Sequence, residues 1–281
     1  LQTTDPNMAP FGAISADKLL RLLGSSQSPL LVDVRVDEDV QADPFLLPAS
    51  VRRDHQTVDR WASEITAASV VVICQKGRKL SEGVAAHLRL LGISAEVLEG
   101  GAVGWVEAGL PRVPMTHLPT DNGGTLWVTR NRPKIDRIAC PWLIRRFVDP
   151  FARFLFVSAS EVDAVAERFN AIPFDMEGGF WSHRGEFCTF DAMLAEFQLD
   201  IPALATLARI VRAADTNRLD LAPEAAGLLA VSLGLSRLHQ NDLQQLEQGL
   251  LIYDAFYRWA RDAMDEKHDW IPRGPRNEVK A

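Results

Sequence analysis

The stretch V-V-I-C-Q-K-G-R-K-L-S-E-G-V-A-A-H-L, Val71 to Leu88, decides how the first half of the chain is read. It opens on an apolar run, reaches a cysteine, passes a glycine and three cations, and continues with apolar residues at helical spacing. The pattern predicts a buried strand over 69–73 that ends at Cys74, then a helix over 81–91 with Val84, Leu88 and Leu91 on one face. A thiol at such a junction meets the backbone amides of a tight loop and the N-terminus of the next helix, which favour a thiolate and bind anions. Lys76, Arg78 and Lys79 add positive charge. The competing reading is a cysteine packed as a small apolar residue, which is common for a free thiol.

On either side of this stretch the periodicity alternates. A helix is predicted over 14–23, with Ser15 as N-cap and Asp17 in the first turn, where negative charge suits the helix dipole. A buried strand over 30–34 runs into Asp33 and Arg35, a helix covers 58–67, and a third strand covers 95–98. Apolar strands alternating with helices imply a parallel sheet covered on both faces, in which ligands bind at the carboxyl ends of strands. Cys74 lies at one of these ends.

The 281 residues are long enough for two modest domains. A net charge of −7 argues against a general nucleic-acid or anionic-membrane binder. Only three cysteines occur, Cys74, Cys140 and Cys188, widely spaced and odd in number, so no disulfide framework is expected and a reducing compartment, the cytoplasm, fits. The first residues have no basic flank followed by an apolar core, and no segment has ~18 uninterrupted apolar residues, so neither a signal peptide nor a membrane span is expected.

Three separate matches make residues 12–114 resemble a rhodanese domain: L-L-V-D-V-R at 30–35, the strand-cysteine-loop-helix at 70–88, and L-E-G-G-A-V-G-W-V-E-A-G-L-P at 98–111. The segment P-F-L-L-P-A-S-V at 44–51 sits where that family carries a loop into its next strand. The resemblance implies a sulfurtransferase that needs no cofactor. Cys74 would take a sulfane sulfur from a donor such as thiosulfate, hold it as a persulfide and pass it to a nucleophile or thiol acceptor. The backbone of Gln75, Lys76, Gly77, Arg78, Lys79 and Leu80 would form the cradle, and Asp33 and Arg35 would anchor the loop. Trp105 and Leu98 are read as scaffold. The turn is one residue longer than the six-residue loop usual in sulfurtransferases, a length that in related phosphatases accommodates tetrahedral oxyanions. Those enzymes place an arginine six residues after the cysteine, where this chain has Leu80.

Residues 115–124, rich in proline and glycine, read as a linker, and 125–270 as a second, mainly helical α+β domain. Strands are expected over 125–129 and 153–157. Helices are expected over 141–147 with proline in the first turn, 160–169 with a serine cap, 191–197, 202–212, 223–238 and 242–264, followed by a mobile tail at 273–281. In the long final helix Leu246, Leu250, Tyr253, Tyr257 and Ala260 recur at three-to-four spacing, a core-facing stripe.

Polar residues cluster at Asp136 to Arg146, at 173–191 and at Asp215 to Asp220. Imidazole and carboxylates suit a first-row divalent ion, with His183, Asp175 and Glu186 as the candidate ligands. Asp136, Cys140, Cys188 and Asp191 are expected beside them, Asp136 and Cys140 at i and i+4 on one helical face and the thiols as softer ligands or redox partners. The alternative is that Asp136 caps a helix, Asp191 pairs with an arginine and both cysteines are packed inert.

W-V-T-R-N-R-P-K-I-D-R-I-A-C-P-W-L-I-R-R-F-V-D-P, I-P-F-D, H-R-G-E-F-C-T-F-D and A-D-T-N-R-L-D-L-A-P-E-A-A-G-L-L-A-V-S-L-G-L together resemble the C-terminal domain of chromate-resistance ChrB proteins, over about 125–265. That resemblance implies a link to chromate or oxidative stress, with chromate as a candidate ligand. Two functions are therefore expected: a sulfurtransferase or thiol-redox enzyme working through Cys74, and alternatively a chromate-responsive binding module without turnover.

Overall fold

The structure, a computed structural model, describes residues 12–118 and 124–266. Part of the expected linker and the whole of the expected tail lie outside these residues. The first half is built from strands β1 (Ala13–Ile14), β2 (Leu30–Asp33), β3 (Phe45–Leu46), β4 (Ser50–Arg52), β5 (Val70–Ile73), β6 (Ala95–Leu98) and β7 (Val113–Pro114). Its helices are α1 (Ala16–Leu22), α2 (Asp37–Ala42), α3 (Val58–Trp61), α4 (Lys79–Leu90) and α5 (Gly101–Glu107). Five strands form a parallel sheet in the order β1-β6-β5-β2-β4, with β3 and β7 pairing separately as a short antiparallel ribbon. β5 reads Val-Val-Val-Ile and all four residues are buried, because a central parallel strand is covered on both faces. Val71 and Ile73 join one core cluster, Val70 and Val72 another, as strand alternation requires.

Several boundaries differ from those predicted. Ser15 does cap α1, its side chain accepting the Lys18 amide, but Ala13 and Ile14 are drawn out of the helix to extend the sheet beside β6. α3 stops at Trp61 and tightens into a 3-10 turn over Ala62–Glu64. α4 begins at Lys79 and not at residue 81, so Lys79 and Leu80 belong to the first helical turn.

The second half comprises β8 (Leu126–Arg130), α6 (Asp136–Leu143), β9 (Arg153–Val157), α7 (Val162–Phe169), β10 (Ile172–Pro173), α8 (Thr189–Glu196), α9 (Pro202–Asp215), α10 (Ala225–Leu238) and α11 (Asp242–Asp262). The strands form a small parallel sheet in the order β10-β8-β9, and the rest is mainly helical. The residue expected to open a helix, Pro141, instead lies inside α6, because the helix starts five residues earlier at Asp136. The chain then widens into a π-helical turn over Ile144–Val148. Ser160 does not cap α7; it lies in the 3-10 turn Ala159–Glu161 that precedes it. Among the described residues, no helix is long and apolar enough to cross a membrane.

One hydrophobic cluster runs through both halves. It joins Leu19, Leu23, Leu98 and Trp105 of the first to Trp142, Phe147 and the complete stripe Leu246, Leu250, Tyr253, Tyr257 and Ala260 of the second. At the seam, Gly24 has φ +77 and lies against the rings of Tyr257 and Phe147, so a Cβ there would collide with Tyr257. The Ala49 amide donates to Phe147 O at 2.8 Å, and Arg261 reaches Leu23 O at 3.2 Å.

Trp105 is fully buried, and its indole N–H donates to Pro111 O at 2.8 Å, so the ring fills volume without leaving an unpaired donor. Trp105→Ala is expected to lower the unfolding free energy by ~3 to 5 kcal/mol through the cavity it leaves. Urea denaturation of parent and variant would measure the loss.

Candidate functional site

Cys74 follows β5 at its carboxyl edge and is 5% exposed. The Arg78 amide donates to its sulfur at 3.3 Å, and the Ser81 hydroxyl stands 3.1 Å from Sγ and 3.0 Å from Arg78 O, with one proton to give to either. Burial pushes the thiol pKa up, but hydrogen bonds from the Ser81 side chain and from the amides of Arg78, Ser81 and Lys76 outweigh it, and the net shift is downward. Backbone dipoles and one hydroxyl thus favour the anionic form of the sulfur. The side chains of Lys76, Arg78 and Lys79 are exposed, so it is the Arg78 amide and not its guanidinium that touches the thiol. Ser81 is the residue that the sequence reading placed only as a helix start. Its position seven residues after the cysteine, two turns into a loop-helix junction, was the available signal.

A second backbone segment fixes this loop. The amides of Ala102 and Val103, at the start of α5, donate to the carbonyls of Cys74 and Gln75 at 3.0 Å each. Gly101 has φ +60, and a Cβ on it would collide with Cys74 O and the Gly77 amide. The paired glycines of the 98–111 segment therefore permit a backbone approach that no side chain allows. Asp33 and Arg35 form a fully buried pair one strand away. Arg35 donates through its amide and Nε to the Asp33 carboxylate and through its terminal nitrogen to Phe45 O at 2.7 Å, tying β2 to the 45–46 segment.

A second group gathers in the helical half. His183 Nε2 lies 3.2 Å from Asp215 Oδ2, 3.5 Å from Asp136 Oδ2 and 3.6 Å from Asp175 Oδ1. Asp136 opens α6 and is 1% exposed; it accepts the Thr189 and Phe190 amides at the head of α8, at 2.6 and 3.4 Å. Asp175 accepts Arg130 at 2.9 Å and the Thr189 hydroxyl at 3.1 Å, and Arg137 lies 3.3 Å away. Burial raises the Asp136 carboxyl well above its ordinary range, and the charges of Asp215 and Asp175 add to the rise; burial and then Asp175 raise Asp215 likewise. The backbone is unusual at two of these positions: Ile135, just before Asp136, has φ 40, and Asp175 has φ 55.

Glu186, expected as a ligand, stands outside the group. Gly185, with φ 62, turns the chain between bridged Arg184 and Phe187, and that turn leaves Glu186 exposed. Its place is taken by Asp215, which ends α9, three residues beyond the helix end expected at 212. Cys140 and Cys188 are completely buried, and burial together with the charge of Asp136 pushes both thiols far up, so neither offers a thiolate. Asp191 completes a capping box with Cys188 and lies 3.3 Å from Arg212 Nε. A separate cleft of about 770 Å³ is lined by Arg35, Arg52, Arg53, His55, Asp149 and Phe151 among others, and neither Cys74 nor any of Asp136, Asp175, His183 and Asp215 lines it.

Residues 15–108 match the family described as rhodanese-like domain, and residues 127–260 match the family described as ChrB, C-terminal domain. Protein ChrB of Cupriavidus metallidurans is 36% identical over 140 residues, covering 50% of this chain and 42% of that protein, so the match spans less than half of the relative. Among solved structures, a rhodanese-related protein from Thermoplasma volcanium is 22% identical, with 36% of this chain and 96% of that one covered and a TM-score of 0.32. A rhodanese-like domain protein from Staphylococcus aureus is 26% identical, with 33% and 89% covered and a TM-score of 0.30. A thiosulfate sulfurtransferase from Pseudomonas aeruginosa is 23% identical, with 36% and 19% covered and a TM-score of 0.32.

Alkylation with iodoacetamide in the folded protein is expected to modify Cys74 much faster than Cys140 or Cys188, with a pH midpoint below that of an ordinary cysteine. Because the Ser81 hydroxyl lowers the thiol pKa, Ser81→Ala is expected to move that midpoint upward; peptide mass mapping across a pH series would read both.

Proposed function

For a chain that carries a rhodanese-like domain followed by a ChrB C-terminal domain, we propose sulfane-sulfur transfer through a persulfide on Cys74. The observation that carries this reading is the sulfur itself: at a strand end, within 3.3 Å of the Arg78 amide and 3.1 Å of the Ser81 hydroxyl, with its pKa lowered. The Cys74 thiolate attacks the outer sulfur of a donor such as thiosulfate. The donor S–S bond breaks with its electron pair going to sulfite, which leaves, and the outer sulfur stays on Cys74 as a persulfide. A nucleophile, cyanide in the assay or a thiol acceptor, then attacks that outer sulfur, and the Cys74 thiolate returns. Charge moves between the donor and Sγ in both steps, and preorganised amides stabilise it without reorienting.

The step needs no cofactor. It needs a reducing compartment, the cytoplasm in this reading, and all three cysteines are free. The second half supports a connection to chromate or oxidative stress through its match to the ChrB family. That match also favours a second reading, in which the loop and the C-terminal domain bind chromate or a regulator without turnover.

Incubation with thiosulfate is expected to add the mass of one sulfur atom to the chain, on the Cys74 peptide, and cyanide is expected to remove it. Cys74→Ser is expected to lose thiosulfate:cyanide turnover, by roughly a factor of 10³ or more for removal of a nucleophile. Full turnover by Cys74→Ser would overturn the reading, and chromate binding by a parent chain that forms no persulfide would favour the second.

A further inference from the structure

We propose that Asp136, Asp175, His183 and Asp215 form a site for one divalent first-row cation that prefers carboxylate and imidazole ligands. The imidazole-to-carboxylate distances are those of a coordination sphere. Ligands ~2.0 to 2.2 Å from a common ion, at tetrahedral or octahedral angles, stand about 2.8 to 3.6 Å from one another. His183 Nε2 meets Asp215, Asp136 and Asp175 oxygens at 3.2, 3.5 and 3.6 Å. Donor atoms of Asp136, Asp175 and His183 all fall within 4.8 Å of each other, and Asp215 joins this trio through its 3.2 Å approach to His183.

The four residues come from four separate places in the fold: the head of α6, the segment after β10, the 183–187 turn and the end of α9. Two of the carboxylates are held by neighbours, and their oxygens nearest the imidazole, Asp136 Oδ2 and Asp175 Oδ1, also accept the Thr189 amide and hydroxyl. Asp136 is fixed by the two α8 amides, Asp175 by Arg130, Arg137 and the Thr189 hydroxyl. Both guanidiniums sit on Asp175, while Asp136 and Asp215 face the His183 imidazole. Three carboxylates this close, two of them buried, repel strongly in a low-dielectric setting, and a bound cation removes that repulsion.

A separate observation points to a missing ligand. The hydroxyl of Thr129 is completely buried and has no hydrogen-bond partner in the protein. Thr129 is the last residue of β8 before Arg130, which holds Asp175. Strand alternation puts it on the face of Trp127, whose core also contains Ala139 and Cys140 of α6 and Phe190 of α8. A buried hydroxyl without a protein partner, one residue along the chain from the arginine that holds Asp175, has the chemistry to meet a water or an ion. The His183 side chain is 39% exposed, so one side of the site opens to solvent and to an exchangeable ligand. The ligand set is carboxylate and imidazole without a thiol, which suits the hard-to-borderline ions Mn²⁺, Fe²⁺ and Zn²⁺.

The test is calorimetric titration of the full chain, stripped with chelator and dialysed, against Mn²⁺ and Zn²⁺ separately. One ion per chain is expected. Asp215→Asn and His183→Ala, both at partly exposed positions, are each expected to weaken binding by at least about tenfold. Glu186→Gln is expected to bind as the parent does, and so is Cys74→Ser, which separates this site from the sulfur chemistry. Metal is expected to raise the melting temperature of the parent and not of the two ligand variants. No binding by a parent with native circular dichroism, or equal binding by Asp215→Asn and the parent, would overturn the proposal and leave the group as an ion-paired network.

Discussion

Two peptide carbonyls and a missing Cβ hold the reactive end of this molecule in place. Cys74 O and Gln75 O accept the Ala102 and Val103 amides, and the two segments come this close only because Gly101 carries no side chain. Each such bond contributes only about 1 kcal/mol net. Their larger effect is geometric. They seat the turn after β5 against the head of α5, so the amides of Lys76, Arg78 and Ser81 converge on Sγ without waiting for a ligand to order them. Stabilisation of an anion by dipoles fixed in advance avoids the reorganisation that solvent would need. The exposed cations of the same loop are screened by water and contribute at longer range.

The two halves are one packed body and not a pair of tethered beads. Phe147 meets Trp142 and Tyr257 edge to face in the helical half, Trp142 lies tilted against Tyr257, and Gly24 of the first half sits directly against Phe147 and Tyr257. The π-helical turn over Ile144–Val148 supplies Phe147 to this seam and, through its carbonyl, the acceptor for Ala49. An apolar interface of this kind resists the relative motion expected of domains joined only by a linker.

The two candidate sites use opposite electrostatics. Around Cys74 donors outnumber acceptors, and the thiol is drawn toward its anion. Around His183 carboxylates outnumber cations, and the neighbouring thiols of Cys140 and Cys188 are driven toward their neutral form. The same residue type is thus biased toward the thiolate in one half and toward the neutral thiol in the other, by environment alone.

The sequence by itself determined what depends on short-range periodicity: the apolar run of β5, the cysteine at its end, the paired glycines near residue 100, and the α11 stripe from Leu246 to Ala260, every member of which is buried. It also identified the residue types of the second group, because His183, Asp175 and Asp136 lie in visibly polar clusters. Tertiary structure alone decided which of them meet. Glu186 is three residues from His183 but turns to solvent at Gly185, whereas Asp215 is brought in by the full length of α9. Ser81 gained its contact to Cys74 only when α4 began two residues early. Pro141 came to lie within a helix because Asp136 found its partners on α8, more than fifty positions along the chain. Helical and strand spacing are properties of neighbours in sequence. Convergence of donors on one point depends on how distant elements pack, and no local pattern encodes it.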